Sequence, residues 1–430
     1  MKVLGLDIGT TTVSAVVVEN GEVLKSLTRA NTSFIEDTTP WEKIQDPECI
    51  RKIAFGSVDE LFTQYPDIER IGITGQMHGI VYLNASGRSV SPLYIWQDGR
   101  GDLPMDNGKS YAKFLTESTG YPMATGFGLT THFYNLKNGL VPNGAVVFCT
   151  IHDYIAMSLC GRTSPVTDAS DAASLGLFDV EKGCFDIQQI KALGMDISML
   201  PDLAPTPLIG SYRGRPVYVG IGDNQASFLG ATGGQLHSML VNVGTGSQFS
   251  VYSEKYIHCE GLETRPFPGG GYLLVGAPLC GGRAFALLEK FFRETSDMLG
   301  CPIDSAYGAM DALLASSEKP TDLPVTTPLF QGTRANPTVR GSIENLSTDN
   351  FTPLAFIWSM MEGMTRELYD RFLAYKSTGG EAYRLIGSGN GLRKNVFLQH
   401  CISSFFCQPV IMSQCTEEAA SGAAMFAAMN

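Results

Sequence analysis

The feature that most constrains the fold is a strand–turn–strand unit that opens each half of the chain. In the first half, an apolar strand at residues 3–8 enters a Gly-Thr-Thr-Thr turn and continues as a strand at residues 13–19. In the second half, strands at residues 237–243 and 248–252 flank the turn Gly244-Thr245-Gly246-Ser247. The two halves share no close sequence repeat, but they open with the same architecture.

The chain of 430 residues is too long for one hydrophobic core, so we predict two domains, at residues 1–230 and 231–430. Helix and strand patterns alternate after the first unit, which favours an α/β fold. Asn20-Gly21 predicts a tight hairpin, and Asn350 is a candidate cap for a long helix at residues 353–375. The other predicted strands are at residues 22–27, 70–74, 145–149 and 384–386 and around Val410, and the other helices are at residues 50–64, 151–159 and 394–406 and in the Ala-rich C-terminal segment.

The charge and cysteine content exclude several classes of function. With 31 basic and 43 acidic residues the formal net charge is −12, and no basic run is present, which argues against nucleic acid or anionic membranes as partners. An anionic ligand would have to be held by backbone dipoles and a metal ion. The ten cysteines form no Cys-x-x-Cys pair, which favours a reducing compartment. A strand begins directly after Met1 and no apolar stretch is long enough to span a bilayer, so we expect a cytoplasmic protein.

The first turn combines a carboxylate with hydroxyl and backbone donors. Asp7 lies at the end of the strand, and Gly9, Thr10 and Thr11 follow it. Such a turn can offer N–H groups and hydroxyls to phosphate oxygens, while Asp7 can hold a metal ion through water. An ordinary hairpin with Thr for β-propensity is the alternative. The second turn, at residues 244–246, has no carboxylate. This suits a turn that binds the far phosphates of the ligand while Asp7 in the first turn holds the metal ion. Neither turn matches a P-loop.

A single carboxylate near the middle of the chain is the candidate catalytic group. Asp223 follows an apolar, valine-rich strand that ends at Gly220 and Gly222, and no basic residue is close to it in the sequence. Because an ionised carboxylate is costly to bury unpaired, Asp223 should lie where the strand opens into a cleft. The alternative is that Asp223 only caps a helix that begins at Ala226.

Two polar segments suit a ligand with many hydroxyl groups. Gln76, Met77 and His78 stand between two glycines just past a buried strand, although His78 could instead be a core histidine. Residues 96–100 join an aromatic ring, an amide, a carboxylate and a guanidinium, the mixture that a polyhydroxylated ligand needs. A solvated turn with a weak Asp98–Arg100 pair is the alternative for that segment.

The glycine-rich loop at residues 387–391 is a third candidate. It stands between a strand and a helix, where glycines allow the backbone to approach a flat ligand such as adenine. A packing bend without a ligand is the alternative.

Together these segments resemble the FGGY carbohydrate kinases from end to end. The turns at residues 7–11 and 244–246 resemble the family's phosphate turns, and residues 222–226 resemble the motif of its catalytic base. Residues 75–79 resemble the xylulokinase and sedoheptulokinase form, whereas glycerol kinases have Arg-Glu in place of Met77-His78. The resemblance is greatest to the sedoheptulokinase branch, on residues 96–100, 124–128, 150–154 and 157–161. Residues 330–334 and 341–362 resemble the C-terminal signature region, and the loop at residues 387–391, with Asn390 and Asn395, resembles the adenosine-binding segment.

The resemblance implies two ribonuclease H-like domains of the actin, hexokinase and Hsp70 superfamily, with a catalytic cleft between them. It implies ATP-dependent phosphorylation of a small sugar, best sedoheptulose, with Asp223 as the base and Asp7 orienting Mg²⁺. D-xylulose or another pentulose is the alternative substrate, and a nucleotide-gated binding protein without catalysis is the alternative class. The oligomeric state stays open, a homodimer included. The implied sugar ligands are Gln76, Met77, His78, Trp96, Asp98, His132 and Asn224, and the implied nucleotide ligands are Thr10, Thr11, Gly244, Thr245, Gly246, Gly387, Gly389, Asn390 and Asn395.

Overall fold

A computed structural model describes residues 1–36, 39–106, 108–333, 336 and 338–430. The strands are β1 (Lys2–Ile8), β2 (Thr12–Glu19), β3 (Glu22–Ala30), β4 (Ile44–Gln45), β5 (Ile68–Gly75), β6 (Val81–Leu83), β7 (Leu93–Tyr94), β8 (Val147–Cys149), β9 (Val166–Thr167), β10 (Phe178–Asp179), β11 (Cys184–Phe185), β12 (Asp202–Leu203), β13 (Leu208–Tyr212), β14 (Arg215–Gly222), β15 (Ser238–Val243), β16 (Ser247–Ser253), β17 (Glu263–Pro266), β18 (Tyr272–Gly276), β19 (Val325–Thr327), β20 (Ser342–Glu344), β21 (Arg384–Ser388) and β22 (Ile411–Met412). The α-helices are α1 (Pro47–Gln64), α2 (Tyr111–Thr119), α3 (Gly128–Lys137), α4 (Ile151–Leu159), α5 (Ala169–Ala172), α6 (Ile187–Ala192), α7 (Asp223–Thr232), α8 (Gly282–Met298), α9 (Tyr307–Ser316), α10 (Pro353–Ser377), α11 (Asn390–Lys394), α12 (Val396–Phe405) and α13 (Glu418–Met429).

The chain forms two compact units, each built on a six-stranded mixed sheet. The first unit contains residues 1–235, 265–272 and 415–430, and the second contains residues 236–264 and 273–414. The sheets have the strand orders β13-β14-β5-β1-β2-β3 and β17-β18-β16-β15-β21-β22. We set aside the outer strands β13 and β17 and number the remaining five strands of each sheet by their order in the chain. The first sheet then has the order 5-4-1-2-3 and the second has the reverse order, 3-2-1-4-5. This is the strand order of a ribonuclease H-like fold. The two-domain α/β prediction is confirmed.

Register explains why the polar segments of the first unit come together. Strands β1, β5 and β14 are parallel neighbours, and Ile8 pairs with Gly75, which pairs with Gly222. The three strands therefore end at the same level. The segments that follow them, including Thr10, His78 and Asp223, leave from the same edge of the sheet, where α/β proteins bind their ligands.

The C-terminal helix α13 packs on the sheet of the first unit, although the sequence division assigns it to the second domain. Small residues make this possible: a Cβ atom on Gly5 would lie 1.8 Å from the Ala420 carbonyl oxygen, and one on Gly72 would lie 1.9 Å from that of Ala423. The alternate residues Leu4 and Leu6 belong to the core that includes residues of α1. Because strand side chains alternate between faces, Asp7 lies on the same face as Gly5, towards α13.

Local predictions are largely confirmed. Asn20 and Gly21 have φ angles of 51° and 85°, as a two-residue hairpin turn requires. Helix α4 has the predicted bounds, whereas the helix predicted at residues 394–406 is divided at Asn395 into α11 and α12. The predicted cap Asn350 is wrong: Thr352 caps α10, and the Asn350 side chain instead binds the backbone of Asn345 and Ser347.

Among the described residues, no helix is long and apolar enough to cross a membrane. All ten cysteines are free thiols.

Candidate active site

The first Gly-Thr turn is held by its carbonyl oxygens. The Asn31 side chain donates to the Gly9 carbonyl at 2.9 Å, the Asn31 N–H donates to the Thr11 carbonyl at 2.8 Å, and the Gln45 amide donates to the Thr10 carbonyl at 2.8 Å. The N–H groups of Gly9, Thr10 and Thr11 have no acceptor among the residues that the structure describes. Three successive N–H groups without an internal acceptor form a site for an anion such as phosphate.

The Thr10 hydroxyl is directed to side chains that the sequence assigns to the sugar. It donates to Gln76 Oε1 at 3.0 Å and accepts from Trp96 Nε1 at 3.0 Å. The Gln76 amide in turn donates to Gln45 Oε1 at 2.9 Å, so a closed ring of hydrogen bonds joins the turn to Gln76. The prediction that this hydroxyl donates to a phosphate is corrected, because the hydroxyl donates to Gln76 instead. Only the N–H of Thr10 remains as a donor to a phosphate oxygen.

Asp7 is in a strongly acidic setting. Burial, together with the negative charges of Asp223 and Glu417, raises the pKa of its carboxyl to about 7 against the opposing charge of His152. Carboxylate oxygens that repel one another are the donor set that Mg²⁺ prefers. The residues present therefore fit a divalent cation held by Asp7, with Glu417 close by at the start of α13.

Asp223 is the first residue of α7 and not its cap. The cap position is Gly222, which has no side chain, so the prediction that Asp223 only caps a later helix is wrong. Burial raises the pKa of Asp223, while the positive charges of His152 and Arg265 and a hydrogen bond from Asn224 oppose that shift. The Asn224 amide donates to Asp223 Oδ1 at 2.9 Å and also lies 3.8 Å from the sulfur of Met77. Asp223 is thus a carboxylate at a strand end whose affinity for protons is increased, as a general base requires.

A buried ion pair contributes positive charge near both Asp223 and Asp7. His152 Nε2 lies 3.0 Å from Asp171 Oδ2, and the Thr150 hydroxyl donates to the same oxygen at 2.8 Å. Burial would lower the pKa of His152, but Asp171 raises it to about 9, while burial and Asp171 raise the pKa of Asp153 well above its usual value. His152, Asp153 and Asp171 offer ligand atoms within 4.8 Å of one another. Because Asp171 favours the protonated imidazole, His152 and Asp171 form a buried ion pair, and the pKa of the Asp153 carboxyl beside it is raised.

His78 is fixed in an unusual backbone conformation. Its φ is 75°, in the left-handed region, and the Gly79 N–H donates to the Met77 carbonyl at 2.9 Å across it. The imidazole stacks on Phe127 with ring centroids 4.7 Å apart and an interplanar angle of 4°. This is not the setting of an ordinary core histidine, because strain of this kind is typical of functional sites.

Asp98 and His132 do not have the predicted surroundings. The two oxygens of Asp98 accept four hydrogen bonds, three from Arg100 and one from the Lys43 N–H, and both side chains of the ion pair are buried. These bonds fill the acceptor capacity of a carboxylate, so Asp98 shapes the loop below Trp96 and has no lone pair for a sugar hydroxyl. The alternative of a weak, solvated pair is equally wrong.

His132 lies in the hydrophobic core of the first unit. Its Nδ1 is 2.9 Å from the Tyr82 hydroxyl, its ring packs 5.0 Å from that of Phe148, and burial lowers its pKa to about 4. It is a neutral core histidine, which removes it from the candidate sugar ligands.

The turn at residues 244–246 in the second unit is built on the same plan as the first. The first residues of α8 hold its carbonyls: the Gly282 N–H donates to Gly244 at 3.0 Å and the Arg283 N–H donates to Thr245 at 2.9 Å. The N–H groups of Thr245 and Gly246 have no acceptor among the described residues. The second turn is therefore also a candidate anion site.

The glycine loop of the second unit lies beside that turn. Gly389 has a φ of 86°, and a Cβ atom on it would lie 2.5 Å from the carbonyl oxygen of Val243, the residue before the turn. Asn390 is exposed at the start of α11. Gly387, by contrast, is inside β21 and packs against Val410, which is the packing role that the sequence left open.

Asn395 caps α12, and its oxygen accepts from the Leu398 N–H at 2.9 Å. It is mostly buried, so its predicted contact with adenosine is replaced by a structural one. In the signature segment at residues 330–334, Gln331 accepts a hydrogen bond from Arg283 at 2.6 Å, while Arg334 lies outside the described residues.

The polar residues that anchor the site were not found in the sequence. Asn31, Gln45, Ser174 and Glu417 belong to no strand-end glycine motif and lie far along the chain from the groups that they contact. Gln45-Asp46-Pro47 at the start of α1 is the one local signal, because it places a buried amide directly before a helix cap.

With this geometry in place, the class is a two-domain α/β protein with two Gly-Thr turns and a carboxylate at a strand end. The N-terminal domain model of the FGGY family of carbohydrate kinases matches residues 2–233, and the C-terminal domain model matches residues 239–430. The chain belongs to the FGGY family of carbohydrate kinases and is a phosphotransferase that acts on a sugar.

Individual relatives agree with this assignment. The chain is 28% identical to the sedoheptulokinase of Mus musculus, over 98% of this chain and 96% of that protein. It is 25% identical to the xylulose kinase of Staphylococcus xylosus, over 99% of this chain and 90% of that protein. The crystal structure of Plasmodium falciparum glycerol kinase with ADP matches with a TM-score of 0.82 and 19% identity, over 100% of this chain and 89% of that one, and shows the same fold.

Proposed function

We propose that this kinase transfers the γ-phosphate of ATP to a hydroxyl of a ketose, with sedoheptulose as the first candidate. The observation that carries the proposal is the common level at which β1, β5 and β14 end, which brings the Thr10 turn, His78 and Asp223 to one edge of a sheet. Similarity to sedoheptulokinase supports the choice of sugar, and Met77-His78 in place of Arg-Glu argues against glycerol.

The proposed chemistry divides the work among a few groups. Asp223 would accept the proton of the attacking hydroxyl, a contribution on the order of a hundredfold or more in rate. Backbone N–H groups of the two Gly-Thr turns would bind phosphate oxygens, where preorganised donors stabilise the charge of phosphoryl transfer. Mg²⁺ held by Asp7 would supply further neutralisation of the phosphate charge.

The sugar would be held by Gln76, Met77, His78 and Asn224, with Trp96 as an exposed aromatic wall. Gln76 is buried and its amide is already bound to Gln45, so we expect it to set the shape of the pocket more than to contact the sugar. Gly389 and Asn390 are the residues of the second unit that we assign to the adenosine. We place the kinase in the cytoplasm, which the ten free cysteines support.

The test is a substrate panel on the wild type together with Asp223→Asn. We expect ATP consumption with sedoheptulose, weaker consumption with xylulose and ribulose, and least with glycerol. Asp223→Asn should retain sugar and ATP binding in calorimetry while turnover falls about a hundredfold or more. Asp202→Asn, at an exposed acid, is the matched control.

Three outcomes would change the proposal. A preference for a pentulose would move the substrate to the alternative branch, which the similarity to xylulose kinase favours. Near-normal turnover of Asp223→Asn would refute the base assignment. ATP binding without phosphorylation of any sugar would favour the nucleotide-gated binding protein.

A further inference from the structure

Ser174 contacts His78 at two points. Its hydroxyl accepts from the His78 N–H at 3.0 Å, and its carbonyl oxygen lies 2.8 Å from His78 Nδ1. Ser174 is buried and lies in the 3₁₀ turn Ala173–Leu175, which follows α5. The two contacts hold both the backbone and the ring of the histidine.

The contact with the carbonyl determines the tautomer of His78. A carbonyl oxygen can only accept, so the proton of a neutral imidazole must be on Nδ1. Stacking on Phe127 fixes the plane of the ring.

The contact with the hydroxyl supports the strained backbone. A residue other than glycine with φ near 75°, crossed by a hydrogen bond from the next residue to the preceding one, forms a γ-turn of the rare, strained kind. Such a conformation costs on the order of 1–3 kcal/mol and persists only where its surroundings enforce it. The Ser174 hydroxyl supplies part of that enforcement, because it is the acceptor of the His78 N–H.

Ser174 is itself anchored to the buried ion pair. Its hydroxyl donates to Asp171 Oδ1 at 3.3 Å, while Asp171 Oδ2 is bound to His152 and Thr150. In the same segment, the Ser170 hydroxyl accepts from the N–H of Gly222, the residue before Asp223, at 3.2 Å. One short segment therefore holds the ends of the strands that lead to His78 and to Asp223.

We propose that Ser174 is a positioning residue for the acceptor sugar: it fixes the backbone and the ring of His78, which makes a hydrogen bond to a ketose hydroxyl. The proposal rests on the proposed function, because it assumes that the ketose binds next to His78. It adds a residue that does not touch the substrate but determines how tightly the substrate is held.

The experiment compares Ser174→Ala, which loses the hydroxyl, with Ser174→Thr, which keeps it. We expect Ser174→Ala to raise the KM for the ketose about tenfold or more, since a misplaced hydrogen bond of about 1.4 kcal/mol is a tenfold change in affinity. The KM for ATP should stay within about twofold, and kcat should fall less than the ketose KM rises. Ser174→Thr should restore most of the ketose affinity, and Ser198→Ala, at an exposed serine, is the control.

A double-mutant cycle and a ¹⁵N NMR spectrum distinguish positioning of His78 by Ser174 from a general structural role of Ser174. In a His78→Gln background, Ser174→Ala should add little to the ketose KM, because the group that it positions is already absent. The ¹⁵N spectrum of the wild type should show His78 protonated on Nδ1, a readout that requires no activity and no soluble variant.

An unchanged ketose KM in Ser174→Ala, or the opposite tautomer in the wild type, would overturn the inference while the wild type still phosphorylates the ketose. A wild type that phosphorylates no ketose would instead refute the proposed function.

Discussion

Replacing Asp7 by asparagine should make the protein more stable at the same time as it abolishes kinase activity. The pKa of the Asp7 carboxyl rises from its ordinary 3.8 to about 7, first through burial and then through the charges of Asp223 and Glu417. Each pKa unit corresponds to about 1.36 kcal/mol, so the ionised side chain costs the folded state about 4 kcal/mol at alkaline pH.

The sign follows from proton binding. Between pH 3.8 and about 7 the folded protein binds more protons at Asp7 than the unfolded chain does, so this group makes stability fall as the pH rises through that window. Below the window both states are neutral at Asp7 and the penalty is absent. Asparagine keeps the shape of the side chain without the charge, so the gain from Asp7→Asn should appear near pH 8 and disappear below about pH 4.

Urea unfolding in the presence of EDTA, followed by circular dichroism at both pH values, measures the difference. We expect Asp7→Asn to exceed the wild type near pH 8 by about 1–4 kcal/mol, the upper figure being the full penalty. Added Mg²⁺ should stabilise the wild type and not the variant. Glu22→Gln, at an exposed strand residue, is the control. A variant that is no more stable than the wild type near pH 8 would refute the inference that the ionised Asp7 carboxylate destabilises the folded protein.

Variants at four further residues test the roles given above. Thr10→Val should raise the ketose KM more than the ATP KM, and Thr10→Ser should not, because the hydroxyl binds Gln76 and Trp96; equal effects on both would contradict this. Asp98→Asn should lower the free energy of unfolding by about 3–5 kcal/mol, as thermal denaturation would show, because the buried guanidinium of Arg100 loses its main carboxylate partner. His132→Asn should leave the ketose KM within about twofold in steady-state assays, since burial puts this ring in the core. Gly389→Ala should raise the ATP KM severalfold with the ketose KM unchanged, because its backbone conformation is nearly restricted to glycine and a Cβ atom would lie 2.5 Å from the Val243 carbonyl oxygen.

The sequence predicts the strand ends well because their signals are local. A run of apolar residues followed by glycine identifies β1, β5, β14 and β15 and the polar residues after them, and parallel pairing then brings those residues to one sheet edge. Asp223 and His78 were found in this way, and their surroundings in the structure agree with a chemical role.

The errors come from side chains whose partners are distant in sequence or hidden by burial. Asp98 and His132 have the right chemistry for a sugar ligand. The carboxylate of Asp98, however, already accepts hydrogen bonds from Arg100 and Lys43. The ring of His132 is surrounded by the core residues Tyr82 and Phe148. Local composition cannot distinguish a side chain whose hydrogen bonds are all made within the protein from one that is available to bind a ligand.

The two Gly-Thr turns are held by groups that a glycine motif does not reveal. In the first turn the side chains of Asn31 and Gln45 bind the carbonyls, and in the second turn the first N–H groups of α8 do so. In both turns the carbonyl oxygens accept hydrogen bonds from the protein, while the N–H groups remain available to an anion. The residues that donate to the carbonyls are unrelated in the two turns. A search for a repeated motif therefore finds the Gly-Thr turns and misses what holds them. Because a turn without its anchor would lose the direction of its N–H groups, Asn31→Ala should weaken ATP use as strongly as a change in the turn itself, which steady-state kinetics at saturating ketose can measure.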